Sequence, residues 1–405
     1  MLTVEQAREG IMSRIAPLSV ERVEIMAALG RVLAEPVVSR ATIPPWPNSS
    51  MDGYALRAQD TNGEPVELAV VGTISAGSVP PRALRAGESM RIFTGAPLPE
   101  GADAVVPQED VSADGRRVTI RGRIDPGAYV RPAGEDVRIG DVVVQPGGVI
   151  GPAEVGLLAT LGYSQVQVYR RPRVAILSTG NEIADLGTQP GPAQIPNTNT
   201  YSLMAQVIDA GGEPVNLGVA RDQLEAINER VRWGLMSADM LVTSAGVSVG
   251  ELDLVRESLQ RSGAELHLWQ VSMRPGKPIT FGTTPSGRPV FGLPGNPVSA
   301  MVTFELFVRP ALRHMAGATV TDRPRLRARA LEPIANPGSR RGYLRVTLTP
   351  DAQGYGARLT GDQGSAILRS MVLADGLAVV APDTTIAAGE AVEVIVLRAL
   401  EARSR

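Results

Sequence analysis

TSAGVSVGELD, residues 243–253, decides how the rest of the chain is read. An apolar run, Met240 to Val242, precedes it, and a helix is expected over 253–260 with Leu254, Val255, Ser258 and Leu259 on one face. The sequence is that of a strand, a small-residue loop and a helix start. Backbone N–H groups of such a loop can converge on an anion beside the positive helix end, and Ser244 and Ser248 add hydroxyl donors. Glu251 and Asp253 bring carboxylates to the same point, which suits a phosphate only when a cation such as Mg²⁺ lies between. A tight turn whose glycines merely relieve backbone strain is the competing reading of the loop alone.

The flanking pattern extends this unit into an α/β region. Strand 174–177 runs into STGNEI, helix 201–210 ends at a Gly-Gly pair, and strand 214–219 and helix 222–235 follow. Such alternation predicts a mostly parallel sheet covered on both faces, with ligands beyond the carboxyl ends of its strands. Ser178, Thr179 and Glu182 fall there with the 243–253 loop. Asp222 does too, unless it only caps its helix. Downstream, strand 266–273 leads to Arg274 and Lys277 in RPGKPITFG, and strand 290–293 leads to GLPGNPVS. A long amphipathic helix is expected over 297–315, with Asn296 as N-cap and Pro297 as first residue. Its start is a second potential anion site, opposed by Lys277.

Outside this region the character changes twice. Residues 3–33 read as two packing helices, the first carrying Ala7, Ile11 and Ile15 and the second running over 20–33. PPWP forbids helix next, and NSSMDGYA sets Asp52 before Gly53 in an expected tight turn. A carboxylate so presented is either a turn former or a catalytic or metal-binding group. Between residues 60 and 148 short β runs alternate with Gly and Pro, and their loops carry Thr94 in RIFTGAPLP and Glu135 and Asp136 in RPAGEDVRIGD. Residues 151–161 return to helix. Beyond Arg323 alternation predicts a C-terminal β domain, whose polar stretch GDQGSAILRSM holds Ser365 and Ser370.

The chain has 405 residues, 43% of them hydrophobic, and a formal net charge of −2. This is the balance of a globular protein of about two to four domains acting on small molecules or proteins rather than nucleic acid. No signal-peptide core and no apolar run near about 18 residues is present, so a cytoplasmic protein without membrane attachment is expected. The absence of cysteine excludes thiolate nucleophiles, disulfides, iron–sulfur clusters and cysteine-ligated zinc. His267 and His314 are the only histidines and lack metal-ligand spacing, so any metal is a hard cation on oxygen ligands. Lys277 is the only lysine among 40 basic residues; it is either a chance survivor of a bias toward arginine or, as the motif around it favours, a position that needs a compact ammonium.

NSSMDGYA, RIFTGAPLP, GEDV, STGNEI, TSAGVSVGELD, MRPGKP and GLPGNPVS, in that order, make the chain resemble the molybdopterin molybdenumtransferase family, which includes the E domain of gephyrin. The resemblance covers almost the whole chain. It implies a multidomain α/β plus β protein with an N-terminal helical and linker region (1–40 and 140–170) and an inserted β module (41–139). A three-layer molybdopterin-binding α/β domain (171–318) and a C-terminal β-barrel-like domain (319–405) complete it. The implied reaction converts adenylylated molybdopterin and molybdate into molybdenum cofactor and AMP with Mg²⁺. The implied assembly is a homodimer whose site lies between the α/β domain of one subunit and the MDGYA module of the other. Molybdopterin adenylyltransferase and apo molybdoenzymes are the implied protein partners.

Carried onto matching positions, Asp52, Thr94, Asp136, Glu182, Asp222, Asp253 and Lys277 become catalytic candidates, with Glu182 and Asp253 holding Mg²⁺. Thr179, Ser244, Gly246, Ser248, Gly250, Arg274, Pro294, Asn296, Pro297 and Ser365 become candidates for binding pterin phosphate or molybdate. The chain departs from many relatives at Ala245, Asn181 and Gln270, where they have glycine, aspartate and lysine. Two alternatives stand beside the insertase reading: a molybdopterin adenylyltransferase, and a non-catalytic molybdopterin-binding scaffold.

Overall fold

The computed structural model describes residues 1–63, 65–245 and 254–400. These form two compact units, one of residues 1–34, 147–155 and 164–405, the other of 35–146 and 156–163. No described helix is long and apolar enough to cross a membrane.

The first unit is built on an α/β domain whose elements, in chain order, are β1 (Arg173–Thr179), α1 (Thr198–Asp209), β2 (Glu213–Ala220), α2 (Leu224–Ser237) and β3 (Met240–Ser244). After these come α3 (Leu254–Arg261), β4 (Glu265–Gln270), β5 (Pro278–Thr283), β6 (Pro289–Leu293) and α4 (Pro297–Thr303). The sheet order is β2-β1-β3-β6-β5-β4, parallel through its first four strands and antiparallel at β5 and β4. Strand periodicity sends Val174 and Ile176 of β1 into one core with Leu203 and Val207 of α1. The intervening Ala175 and Leu177 enter a second core with Ile227 and Val231 of α2 and Val255 of α3. Both faces are covered, which is why the strands read as continuous apolar runs rather than alternation.

Past α4 the helix widens into a π turn, Phe304–Val308, before α5 (Arg309–Met315). The expected single amphipathic helix over 297–315 is therefore interrupted, and most of it is buried. Pro310 supplies the cause: it has no N–H to give the carbonyl of Leu306, and its ring crowds that carbonyl. Glu305 in the π turn is buried and accepts from Arg323 Nε at 2.9 Å and Gln206 Nε2 at 2.8 Å. Arg309 donates to Asp209 at 2.8 Å. This ion cluster ties α1 and the π turn to the chain entering the C-terminal domain.

That domain contains a closed barrel. Its strands are β7 (Arg325–Ala330), β8 (Arg341–Asp351), β9 (Gly354–Leu359), β10 (Gly376–Val380) and β11 (Ala391–Val396), with α6 (Leu368–Leu373) between β9 and β10. Pairings run β8–β9, β9–β7, β7–β11, β11–β10 and β10–β8, so the ring closes. The strand expected over 266–273 is split. β4 ends at Gln270, and Met273–Arg274 pairs instead with β8, which transfers Arg274 from the α/β sheet to the barrel edge.

At the N-terminus only Val4–Met12 is helical, with Thr3 and Gln6 exchanging capping-box bonds. The second expected helix does not form. Val20–Glu24 is a strand paired antiparallel with Gln165–Tyr169, and residues 25–30 turn. Its valines, and the alternation of QVQVY opposite, favour a two-strand ladder over helix.

The second unit holds a six-stranded sheet in the order Ala104–Pro107, Gly53–Leu56, Glu88–Ile92, Val66–Ile74, Arg117–Ile120 and Val111–Ala113. Gly53 opens a strand rather than completing a tight turn. A Cβ there would sit 2.0 Å from the carbonyl oxygen of Val106, so only glycine permits the strands to approach.

Candidate active site

The ends of β1, β3 and β6 and the starts of α1 and α4 enclose a cleft of about 470 Å³, lined among others by Thr179, Glu182, Asn199, Ser244, Asn296 and Pro297. It lies beyond the carboxyl ends of the parallel strands, where a sheet of this kind binds ligands. A second cleft of about 480 Å³ shares Thr179, Glu182 and Ala245 with it and adds Asp222 and Leu254. Thus Thr179, Glu182, Asp222, Ser244, Asn296 and Pro297 are gathered at two adjoining hollows. Gly246, Ser248, Gly250, Glu251 and Asp253 lie outside the described residues.

Each wall is held by identifiable contacts. Ser178 Oγ lies 2.8 Å from Thr200 Oγ1 and 3.2 Å from Asn197 Oδ1, which fixes the start of α1 against the end of β1. Gly180 has φ of 139°, and a Cβ there would come 2.5 Å from Glu182 Oε2. The glycine of STG therefore lets the Glu182 carboxylate fold back over the strand end. Asp222 does not cap its helix, which begins at Leu224 without a side-chain cap. Its carboxylate accepts from the Asn181 amide at 3.2 Å, while Asn181 Oδ1 accepts from the Asp222 amide at 3.3 Å. Asn181 thus pairs with Asp222 and adds no charge to it.

Asn296 occupies the N-cap position of α4, yet its side chain makes no capping bond. Instead its Nδ2 donates to Ser365 Oγ at 3.1 Å, and the Val298 amide donates to the Ser365 carbonyl at 3.0 Å. The barrel loop thus replaces the missing cap and brings Ser365 to the cleft rim. Arg345 holds that loop: it is fully buried, donates to Ser370 Oγ at 3.0 Å and to the Gly364 carbonyl at 3.0 Å, and its Nη1 has no described partner. Burial pushes its guanidinium down to about 10, which leaves it charged at neutral pH.

Arg274 is exposed and Lys277 half-buried. Gly276 between them has φ of 102° and packs on α4, a Cβ there falling 2.4 Å from Thr303 Cγ2. The RPGKP turn therefore lies against α4 at its last residue, and Lys277 has no ion-pair partner among the described residues. Pro294 is buried and does not line the cleft. Ala245 has φ of 71°, a left-handed conformation that glycine adopts freely and alanine does not.

In the second unit Asp52 and Thr94 form a pair. One Asp52 oxygen accepts from the Thr94 amide at 2.8 Å and from its hydroxyl at 2.7 Å. These bonds, with the Arg91 charge, hold its carboxyl below the usual range. Asp136 is exposed, and among the described residues its carboxylate joins no hydrogen bond or ion pair.

Two residues that hold the walls of the first unit's cleft escaped the sequence reading. Arg345 sits mid-strand in a barrel segment, where neither period nor motif marks it. Asn199 Nδ2 donates to Ser244 Oγ and to the Gly295 carbonyl, both at 2.7 Å, joining β3 to the turn after β6. Its only signal was a second asparagine in NTNT at a helix start.

Glu182 and Asp222 supply oxygen donors to one hollow, the donor type a hard cation takes. Among the described residues no group of three acidic or histidine side chains is placed to hold a metal. A two-carboxylate site completed by substrate phosphates remains within the usual pattern for Mg²⁺.

Family models match consecutively along the chain: the MoeA N-terminal region (domain I and II) over residues 2–162, a probable molybdopterin binding domain over 175–314, and the MoeA C-terminal region (domain IV) over 327–397. A protein named molybdopterin molybdenumtransferase from Nostoc is 40% identical over 80% of this chain and 76% of its own length. Molybdopterin molybdenumtransferase 2 of Mycobacterium tuberculosis is 37% identical over 92% of this chain and 94% of its own. The crystal structure of a molybdopterin biosynthesis MoeA protein from Pyrococcus horikosii superimposes with a TM-score of 0.82 at 34% identity, covering 98% of this chain and all of that one.

Proposed function

Because the chain belongs to the molybdopterin molybdenumtransferase family, we propose that it completes molybdenum cofactor biosynthesis by releasing AMP from adenylylated molybdopterin and inserting molybdate. The observation that carries this reading is the cleft at the carboxyl strand ends, where Thr179, Glu182, Ser244 and Asn296 meet and Ser365 arrives from the barrel.

Opening the phosphate–phosphate bridge of such a substrate requires positioning and charge neutralisation more than a protein nucleophile, which agrees with a chain without cysteine. Ser244, Asn296 and the 243–250 segment bind the pterin phosphate. Arg274 and Lys277 hold molybdate, or the negative charge that grows as the bridging P–O bond breaks and its electron pair passes to the departing phosphate. Glu182, with Asp222 in the same hollow and with Asp253, which lies outside the described residues, would hold Mg²⁺, which supplies charge neutralisation at the phosphates. Asp52, whose carboxylate the Thr94 bonds stabilise, would orient the metal or the oxygen of an attacking water, which forms a new P–O bond as the bridging one breaks; we place it in a homodimer, acting from a second copy of the chain.

The test is AMP release from adenylylated molybdopterin, with and without molybdate and Mg²⁺, measured beside reconstitution of an apo molybdoenzyme. Release that requires both ions and activates the acceptor supports the proposal. Tight pterin binding without AMP release refutes it.

A further inference from the structure

The α/β domain carries another cleft, of about 420 Å³, at the end of the sheet opposite the one just described. Its walls are the last turns of α2 and α3 and the 284–288 hairpin that leads into β6. β6 runs parallel to β3, so its first residue, Pro289, marks the amino ends of the strands, whereas Ser244 marks the carboxyl ends.

Arg232, Arg261 and Arg288 line this cleft with the hydroxyls of Ser262, Thr284 and Ser286. Arg261 pairs with Glu257 at 2.7 Å, and Arg288 spends one N–H on the Leu235 carbonyl at 2.7 Å. Neither Arg232 nor Arg288 has a carboxylate partner among the described residues, so the cleft holds uncompensated positive charge. Met236, which also lines the cleft, is 81% exposed, and Trp233 on the same turn of α2 is 48% exposed. Arginine, tryptophan and methionine are enriched at the centres of protein interfaces.

We propose that this cleft docks an acidic peptide segment of a partner protein, one that carries carboxylates next to an apolar side chain. A compact free anion is the poorer occupant. Two helices end here, and their C-terminal carbonyls oppose an isolated negative charge. A peptide meets those carbonyls with its own backbone N–H groups, sets its carboxylates on the guanidiniums, and covers Trp233 and Met236 with its apolar residue. Because the docking cleft and the strand-end cleft lie at opposite ends of the sheet, a bound partner leaves the latter open. The inference does not depend on the reaction proposed above.

The experiment titrates the full chain against a labelled synthetic peptide of glutamates flanking one leucine, followed by anisotropy and by tryptophan emission. Saturable binding is expected, weakening steeply with added salt. Arg232→Glu should weaken it at least about tenfold, with AMP release and the circular dichroism spectrum unchanged. Trp233→Phe should remove the emission change while anisotropy still reports binding, which guards against misreading a folding defect. Equal affinity for the Arg232→Glu variant, or for a peptide with glutamine in place of glutamate, overturns the proposal. So does displacement of the peptide by inorganic phosphate at equal concentration, since that marks a small-anion site.

Discussion

The side-chain amide of Asn296 donates to the hydroxyl of Ser365 across 3.1 Å, joining the start of α4 to a barrel loop 69 positions further along the chain. In Ser365→Ala the backbone carbonyl still accepts from Val298, so the helix start stays anchored and only the hydroxyl is lost. Thermal stability should hardly move. A double-mutant cycle with Asn296→Ala, read in kcat/KM for AMP release, should give a coupling of about 0.5–1.5 kcal/mol. Additive losses would mean that the two side chains act independently.

Ala245 is held at φ 71°, where an L side chain costs about 1–2 kcal/mol. Ala245→Gly should relieve that strain and lose part of the gain to unfolded-chain entropy, for a net stabilisation of about 0.5 kcal/mol. Urea unfolding followed by a probe in the α/β domain measures it. Destabilisation would show that the methyl group packs usefully against the turn at Gly295.

Asp52 links pH to the second unit. A carboxylate whose native pKa is lowered contributes stability that is full above its ordinary value of 3.8 and is lost as pH falls through the lower native value. Thr94→Ala removes the hydroxyl but keeps the stronger backbone donor, so the native pKa should rise part of the way toward 3.8. The acidic limb of the kcat/KM profile for AMP release should move to higher pH in step. An unmoved limb assigns it to another group.

Glu305 is buried with Arg323 and Gln206 around it. Glu305→Ala leaves Arg323 with Asp209 as its remaining carboxylate and takes one acceptor from the buried Gln206 amide, a loss of about 1–3 kcal/mol. Calorimetry should show a lower melting temperature for the unit containing the α/β domain and barrel, with the other unit's transition unaffected.

Much of the α/β domain was legible because its local signals agree. β1, β3 and β6 carry short apolar runs, and α1 and α2 fill intervals between strands at helical spacing. Thr179, Glu182 and Ser244 could be placed at the cleft because strand ends locate it once the sheet is recognised. What was illegible depends on distant partners. Residues 20–33 carry a plausible helical pattern, and only the strand at 165–169 turns their first five into a ladder. Asn296 reads as an ordinary N-cap until Ser365 supplies both its partner and the carbonyl that takes over the cap. Arg345 has no local signature, since its importance lies in the carbonyls and hydroxyl of residues 362–370 that fold over it.

Closure of the barrel loop onto α4 also sets an order of events during synthesis. The α/β core can collapse once β6, α4, the π turn and α5 have left the ribosome, because its sheet and the helices on both faces are then present. The rim that Ser365 supplies comes later, with the loop that Arg345 organises. A nascent chain paused between these points would hold a folded sheet and an incomplete cleft, so substrate capture is postponed until the barrel has been made.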